Sequence, residues 1–178
     1  EGLDVRFGGA VGINFAAGCD GSVVDGVTIY GGRDGVRVKD GVATGITVRR
    51  SWIANSNVRK WYYRDVKGNV PIEGSALLLP GRNQRAEENI IQGWFNGIGT
   101  FCFASTCTSV DGVFLRNFIQ DILDDALELD GVTVRGEVAE NLVLDALVGF
   151  SFSPRQVQTA GEDTRVQMVD FEFAKDKV

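Results

Sequence analysis

The sequence of 178 residues predicts an all-β solenoid, a coil of short parallel strands that stack on one another. A short strand pattern recurs six times, and each copy is opened by a small residue and continued by aliphatic or aromatic side chains. The opening residues, 23, 41, 21, 29 and 23 residues apart, are Gly12, Gly35, Ala76, Gly97, Ala126 and Gly149. Helical periodicity is almost absent. Units of this length cannot bury their apolar faces alone, so they bury them against neighbouring copies.

A second set of positions supports the same coil. Ser51, Asn89, Asn117 and Asn141 are each followed by a pair of mostly aliphatic or aromatic residues. Each lies a few positions before a strand opening, except Ser51, after which extra sequence intervenes. A polar residue of this kind fits a corner between two strands, since an asparagine side chain can hydrogen-bond the neighbouring backbone. The pattern therefore predicts corners at these four residues.

In chain order, we expect a single domain over residues 1–178, with about seven coils. Residues 58–73 lie between two repeats as an inserted loop or a degenerate coil, and we favour the loop. Residues 155–178 form a C-terminal edge segment. No cap precedes the first repeat, so we expect a partial chain whose coil ends are covered by further chains or segments.

The strand alternation predicts which side chains face the interior of the coil. We expect the following side chains to be buried: Ile13, Phe15, Val36, Val38, Leu127, Leu129, Phe150 and Phe152. We expect these residues to point outward and to form one stacked face: Asn14, Arg37, Lys39, Leu78, Gly99, Glu128, Asp130, Ser151 and Ser153.

Three segments carry a more specific resemblance. Asp124–Gly131 reads Asp-Asp-Ala-Leu-Glu-Leu-Asp-Gly, 148–154 reads Val-Gly-Phe-Ser-Phe-Ser-Pro, and Asp34–Val38 is a third such repeat. The chain thereby resembles the right-handed parallel β-helix proteins of the pectate-lyase-like superfamily, in particular secreted bacterial members. The resemblance implies a right-handed parallel β-helix, a location outside the cell or on its surface, and a polysaccharide partner.

Composition excludes several kinds of function. The net charge is −6, which argues against nucleic acid as the main partner because binding phosphates needs a basic face. No apolar run is long enough for a membrane span. The absence of histidine excludes histidine-based catalytic triads and histidine-ligated zinc. Cys102 and Cys107 could form a disulfide or remain reduced, with Cys19 unpaired.

The candidate catalytic groups are carboxylates on one repeat. Asp124, Asp125 and Glu128 could divide into general acid and base, and Asp124 with Asp125 could also bind Ca²⁺. Equally, the two aspartates could be a turn pair that binds backbone amides. No cofactor is required on either interpretation. The superfamily's lyases use a basic residue as the base, so the resemblance adds Arg37 and Lys39 by residue type.

The candidate binding groups lie mainly in the inserted loop. Aromatic rings can stack on sugar rings, and basic groups nearby can pair with their acids. The candidates are Arg59, Trp61, Tyr62, Tyr63 and Arg64, with Asp130 on the carboxylate strand. Trp94 and Phe95 could extend the aromatic surface. Alternatively, these rings fold back and cover the coil.

Together these features predict a protein that interacts with an extracellular polysaccharide, as a lyase-like or hydrolase-like enzyme on anionic glycans. The alternative is a non-catalytic structural, adhesive or filament-forming surface segment. An enzyme needs its charged groups to converge in a concave site with shifted pKa values, whereas a structural segment needs only a flat polar face.

Overall fold

The predicted solenoid is confirmed by a computed structural model, which describes residues 3–6, 9–55, 62–69, 72–101, 108–130 and 133–152, and the backbone of 166–169 and 172–174. Nearly all regular structure is β, and every strand pair is parallel. Helical structure in the described residues is limited to α1 (Tyr63–Val66) and a 3-10 turn (Lys39–Gly41). The strands, numbered in chain order, stack into three main faces.

Face A contains the strands that follow the polar corners. They are β1 (Asp4–Arg6), β4 (Thr28–Tyr30), β7 (Trp52–Ala54), β10 (Ile90–Gln92), the first part of β14 (Phe118–Glu128), the first part of β17 (Leu142–Ser151) and β19 (Glu172–Ala174). Face B contains the strands of the six recurring repeats. They are β2 (Val11–Phe15), β5 (Asp34–Val38), β8 (Ser75–Leu78), β11 (Asn96–Gly99) and the last parts of β14 and β17. Because β14 and β17 run through the corner, faces A and B join as one sheet.

Face C closes the coil. Its six strands are β3 (Val23–Asp25), β6 (Thr47–Arg49), β9 (Arg85–Glu87), β13 (Val113–Leu115), β16 (Gly136–Ala139) and β18 (Val166–Val169). A short pair, β12 (Ser109–Val110) and β15 (Thr133–Val134), lies between faces B and C. Six stacked strands define five turns from the first to the last, so the expected seven coils were slightly too many. The C-terminal segment contributes two strands, β18 at the end of face C and β19 at the end of face A.

The core consists of aliphatic columns, one inside each face. Ile29, Ile53, Ile91 and Ile119 occupy equivalent positions on face A and are fully buried. Equivalent columns on the other faces are Val36, Leu77, Ile98 and Leu127 on face B, and Val24, Val48, Ala86, Phe114 and Val138 on face C. Branched side chains stacked at strand spacing fill such an interior without gaps.

The register predicted for face B is confirmed in its centre and departs at its ends. Val36, Val38, Leu127 and Leu129 are buried as expected. Ile13, Phe15 and Phe150 are only partly buried against the core, and Phe152 is 37% exposed rather than buried. The end coils have fewer neighbours above or below them, so their apolar side chains stay partly open. Leu78 and Gly99, expected to face solvent, are buried, and Ser153 lies outside the described residues.

Small residues open the repeats of face B because the next coil's backbone passes very close. A Cβ added at Gly35 would lie 2.5 Å from the carbonyl oxygen of Ala76, and one at Gly97 would lie 2.3 Å from that of Ala126. Both distances are well inside a normal contact. These glycines are therefore required by close approach rather than by backbone dihedral angles.

The corner into face A is formed by a buried ladder of polar side chains. The Oδ1 atom of Asn89 accepts the backbone N–H of Ser51 at 3.1 Å, Asn117 Oδ1 accepts that of Asn89 at 3.1 Å, and Asn141 Oδ1 accepts that of Asn117 at 2.9 Å. Ser51 Oγ continues the ladder to the N–H of Val27 at 3.2 Å. Each link joins one coil to the next, so the predicted corners are confirmed.

A column of left-handed residues immediately precedes this ladder. Arg50, Glu88, Arg116 and Glu140 have φ between 50° and 57°. Residues other than glycine adopt this left-handed conformation at a cost in free energy. Here the stacked corner imposes the conformation. Their charges alternate, and Arg116 lies 3.1 Å from Glu88 and 3.8 Å from Glu140. The conformation required by the corner thus also places an ion-pair ladder on the surface.

At the N-terminal end, strands β1 and β2 have partners on one side only among the described residues. No helix covers the coil over residues 3–6 or 9–12, and Leu3 and Val23 are 59% and 54% exposed. An uncovered edge of this kind can pair with another strand. That another chain stacks here stays a prediction.

We expect Asn117→Ala to lower the free energy of unfolding by about 2–4 kcal/mol, because it removes the acceptor for Asn89 and leaves buried groups without partners. Chemical denaturation monitored by circular dichroism measures the change. Asn14→Ala is the matched control, since Asn14 is exposed on β2, and it should change stability by less than about 0.5 kcal/mol. Equal unfolding midpoints for the two variants would contradict a structural role for the ladder.

Candidate functional site

The carboxylate-rich site lies on the outer side of face B, where β14 bends from face A into face B. The pairing of β14 with β17 shifts register between Ile122 and Asp125, and this irregularity contains the two aspartates. Asp124 is only 4% exposed and Asp125 only 7%. Both aspartates lie within strand β14. They do not form the turn pair that the sequence offered as an alternative to a catalytic or Ca²⁺-binding pair.

The segment between β7 and β8 covers Asp124. Following α1, the Nζ atom of Lys67 lies 2.6 Å from Asp124 Oδ2 and 3.4 Å from a carboxylate oxygen of Glu73. The same Nζ lies 5.5 Å from the ring centre of Phe95, on which Tyr63 stacks at 6.0 Å. Residues that precede the strand of the site by almost 60 positions thus form its roof. In the described parts of 58–73 there is a helix and no strand.

Lys67 is not available as a base. Partial burial alone would lower its pKa, but the hydrogen bond to Asp124 and the charges of Asp124 and Glu73 raise the pKa well above the ordinary lysine value. Lys67 therefore stays protonated and neutralises Asp124. The charge of Lys67 also lowers the pKa of Asp125 and of Glu128, but other causes outweigh it there.

Asn96 joins the backbone of Asp125 to the carboxyl group of Glu128. Its Oδ1 atom accepts the backbone N–H of Asp125 at 3.2 Å, and its Nδ2 atom donates to Glu128 Oε2 at 2.7 Å. Asn96 is 2% exposed, so its orientation is fixed by packing. Sequence reasoning did not select Asn96. Its position in the repeat, equivalent to that of Asp125 one coil later, was the available signal.

Asp125 and Glu128 have pKa values on opposite sides of neutrality. Burial first, and then the neighbouring charges of Asp124 and Asp130, raise the pKa of Asp125 to about 6. Burial first, and then the charges of Asp125 and Asp130, raise the pKa of Glu128 to about 8. At neutral pH Asp125 is mainly ionised and Glu128 mainly protonated. Such a division is what an acid–base pair needs.

The other predicted charged residues lie at different distances from this pair. Asp130 accepts a hydrogen bond from Ser151 Oγ at 3.0 Å and contributes its charge to Glu128. Arg37 occupies the same column as Glu128 but three strands away, which is about 14 Å at sheet spacing. Lys39 is exposed in the 3-10 turn. Neither basic residue joins the carboxylates in one centre.

Arg37 belongs instead to a basic cluster at the N-terminal end of face B. Buried Asp34 holds two arginines, with Arg33 Nη2 at 2.7 Å and Arg37 Nη1 at 3.8 Å from the same carboxylate oxygen. The Nε atom of Arg37 is buried with no hydrogen-bond partner among the described residues. Guanidinium groups such as these are suited to binding anionic ligands.

The predicted aromatic surface is divided by the structure. Tyr62 is 70% exposed, and the guanidinium carbon of Arg64 lies 5.6 Å from its ring centre. Tyr63 packs on Phe95 and covers the coil. Trp94 and Phe95 are buried, so they cannot stack on a ligand from solvent. Arg59 and Trp61 lie outside the described residues, as do Cys102 and Cys107.

No metal centre or membrane-spanning helix is found in the part of the chain that the structure describes. No group of three or more Cys, Asp or Glu side chains there is arranged to hold a metal ion. No helix there is both long and apolar enough to cross a bilayer. Calcium binding by Asp124 and Asp125 stays a prediction.

The fold and site define a parallel β-solenoid protein with a half-buried carboxylate pair. Comparison of the chain with protein-family models, with curated proteins and with solved structures found no match.

The raised pKa of Glu128 predicts how stability depends on pH. Folded Glu128 keeps its proton up to about pH 8, whereas the ordinary glutamate pKa is 4.5. Between these values the folded state binds more protons, so the free energy of unfolding should fall as pH rises. Asp125 contributes in the same direction up to about pH 6. The pKa values of Asp25 and Asp111 are lowered below the ordinary aspartate value of 3.8, so these two groups affect the stability only in more acidic solution.

The substitution Glu128→Gln should remove most of this loss of stability at higher pH, because glutamine keeps the shape of the side chain without acquiring a charge. We expect its melting temperature to exceed that of the unmodified protein at about pH 8.5 and to match it at about pH 4.5. Glu137→Gln, on the exposed side of face C, is the matched control and should leave the pH profile unchanged. Identical profiles for all three proteins would show that Glu128 ionises normally.

Proposed function

We propose that the chain interacts with an extracellular polysaccharide and cleaves it by hydrolase-like acid–base chemistry at Asp125 and Glu128. The observation that carries the proposal is the pair itself. Two carboxyl groups three residues apart on β14 differ in protonation at neutral pH. Asn96 hydrogen-bonds the backbone N–H of Asp125 and the carboxyl group of Glu128. Glycosidic bond hydrolysis commonly uses one protonated and one ionised carboxyl group.

In this proposal Glu128 is the general acid and Asp125 the base or nucleophile. Glu128 donates its proton to the oxygen of the departing sugar. Asp125 either takes a proton from the attacking water or attacks the sugar carbon itself. Asn96 is a positioning residue, since its hydrogen bond fixes the Glu128 carboxyl group. Lys67 offsets the charge of Asp124, which otherwise would raise the pKa of Asp125 further.

Lyase-like chemistry is less well supported by the positions of the basic residues. A lyase needs an unprotonated base near the sugar carbon that loses its proton. Lys67 is held protonated by Asp124, and Arg37 and Lys39 lie away from the carboxylates. Hydrolase-like chemistry therefore fits face B better.

Charge along face B suggests how an anionic glycan would bind. Around Glu128 the net charge is negative, because Asp125, Asp130 and Glu73 outnumber Lys67. An acidic sugar would be repelled there and attracted by Arg33 and Arg37, about three coils away. We propose that sugar acids bind at the arginine end and that cleavage occurs at an uncharged residue of the glycan.

Membership of the pectate-lyase-like superfamily, and with it secretion, belongs to the same proposal. It is supported by the repeat motifs Asp124–Gly131 and 148–154 together with the parallel solenoid. Secretion of a fusion of this chain can be followed by fractionating producing cells.

The experiment is a reducing-sugar assay on a panel of neutral and uronic polysaccharides, followed by analysis of the products. Glu128→Gln and Asp125→Asn should each lower turnover by roughly 10²–10⁴-fold while melting temperatures at neutral pH are kept or raised. The rate should follow a bell between Asp125 deprotonation near pH 6 and Glu128 deprotonation near pH 8. Glu137→Gln should retain full turnover.

A non-catalytic structural or adhesive segment is the second candidate. It is favoured by the intramolecular partners of the charged groups, since Lys67–Asp124 and Asn96–Glu128 already stabilise the roof of face B. This candidate predicts that the panel is not cleaved and that the two carboxylate variants alter stability alone. That result would overturn the hydrolase proposal.

A further inference from the structure

Face A carries an aromatic groove on its outer side, separate from the carboxylates of face B. The groove has a volume of ≈ 240 Å³ and is lined by Tyr30, Trp52, Ala54, Asn55, Gln92, Gly93 and Asp121. Tyr30 is 40% exposed and Trp52 46% exposed, on adjacent strands β4 and β7. Together with Ile90, 48% exposed on β10, they form a group of adjacent exposed apolar side chains on this face. Isolated exposed apolar residues are ordinary, but adjacent ones in a groove indicate binding.

The floor and far wall of the groove are polar. Gln92 Nε2 lies 3.3 Å from Asp121 Oδ2, and Gln120 approaches the same oxygen at 3.5 Å. Asn55 donates its side-chain amide to the carbonyl of Gly32 at 2.8 Å. The groove therefore offers two ring faces beside amide groups and a carboxylate. This set matches a ligand with one apolar face and several hydroxyl groups.

Gly93 lines the groove at a corner that admits no side chain. Its φ is +76°, and a Cβ there would lie 1.9 Å from the carbonyl oxygen of Asn55. Both the conformation and the space exclude a side chain at this corner. The next coil places Asp121 at the equivalent corner, also with positive φ. Its carboxylate lines the groove beside Gly93, which has no side chain.

We propose that this groove binds a neutral polysaccharide segment, with pyranose rings stacked on Trp52 and Tyr30 and hydroxyl groups bonded to Asp121 and Gln92. Among the described residues that line the groove there is one carboxylate and no basic side chain, which favours a neutral over an anionic glycan. Adjacent strands are about 4.8 Å apart, close to the length of one sugar unit, so rings on successive coils can meet successive sugars. The groove thus holds a polymer independently of cleavage on face B.

The test uses three neutral hexasaccharides, built of glucose, xylose and mannose units, with a uronic hexasaccharide for comparison. Calorimetric titration should detect at least one neutral ligand and no uronic ligand at this site. Trp52→Ala should weaken that binding roughly 5- to 150-fold, by analogy with base stacking on aromatic residues. Asp121→Asn should weaken it as well, and asparagine is well suited to the positive φ at this position.

Val23→Ala is the matched control, since Val23 is an equally exposed apolar residue on face C, and it should leave binding unchanged. If Trp52→Ala fails to fold, Asp121→Asn alone decides. Three results would overturn the proposal. They are no neutral ligand bound, binding that survives Asp121→Asn unchanged, and self-association of the protein that Trp52→Ala abolishes, which would make a second copy the occupant. Glu128→Gln should retain this binding, so failure of the groove and failure of the hydrolase proposal are distinguishable.

Discussion

The hydrogen bonds from Ser51 through Asn89 and Asn117 to Asn141 fix the vertical alignment on which the rest of the molecule depends. Backbone pairing alone would hold two coils together at several alternative registers, since each strand is only a few residues long. A buried asparagine satisfies its donors and acceptor here only where the corner backbone groups of the adjacent coils meet its side chain, so one register is strongly preferred. Every column described above, apolar or charged, inherits its alignment from this corner.

Alignment also explains how distant parts of the chain meet on face B. Lys67 belongs to an insertion between β7 and β8, yet it contacts Asp124 two strands further along the stack. An insertion at a corner leaves the stacked strands undisturbed, and its side chains are free to lie across neighbouring coils. The roof it forms covers Asp124 and pairs it with Lys67, so that this carboxylate is not an ordinary surface group.

Sequence reasoning predicted the repeating features well and the local departures poorly. Small residues such as Gly35 and Gly97, and polar corners such as Asn117, are imposed by backbone geometry that recurs in each coil, so they leave a periodic signal. The ion pair between Lys67 and Asp124 depends on an aperiodic insertion, which no period in the sequence reveals. Trp52 was assigned only to a corner, because the pattern does not tell which aromatic residues lie outside the coil. The exposure of Phe152 follows from its place at the end of the described stack.

The alternating column Arg50, Glu88, Arg116 and Glu140 has a consequence for how such a chain could change its length in evolution. Deleting or duplicating a single coil would set two arginines or two glutamates next to each other at the same corner. Exposed ion pairs contribute at most about 1 kcal/mol each, so the alternation disfavours a change by one coil without preventing it. Changes by two coils keep the alternation intact. Lineages descended from this chain would therefore gain or lose length most easily in steps of two.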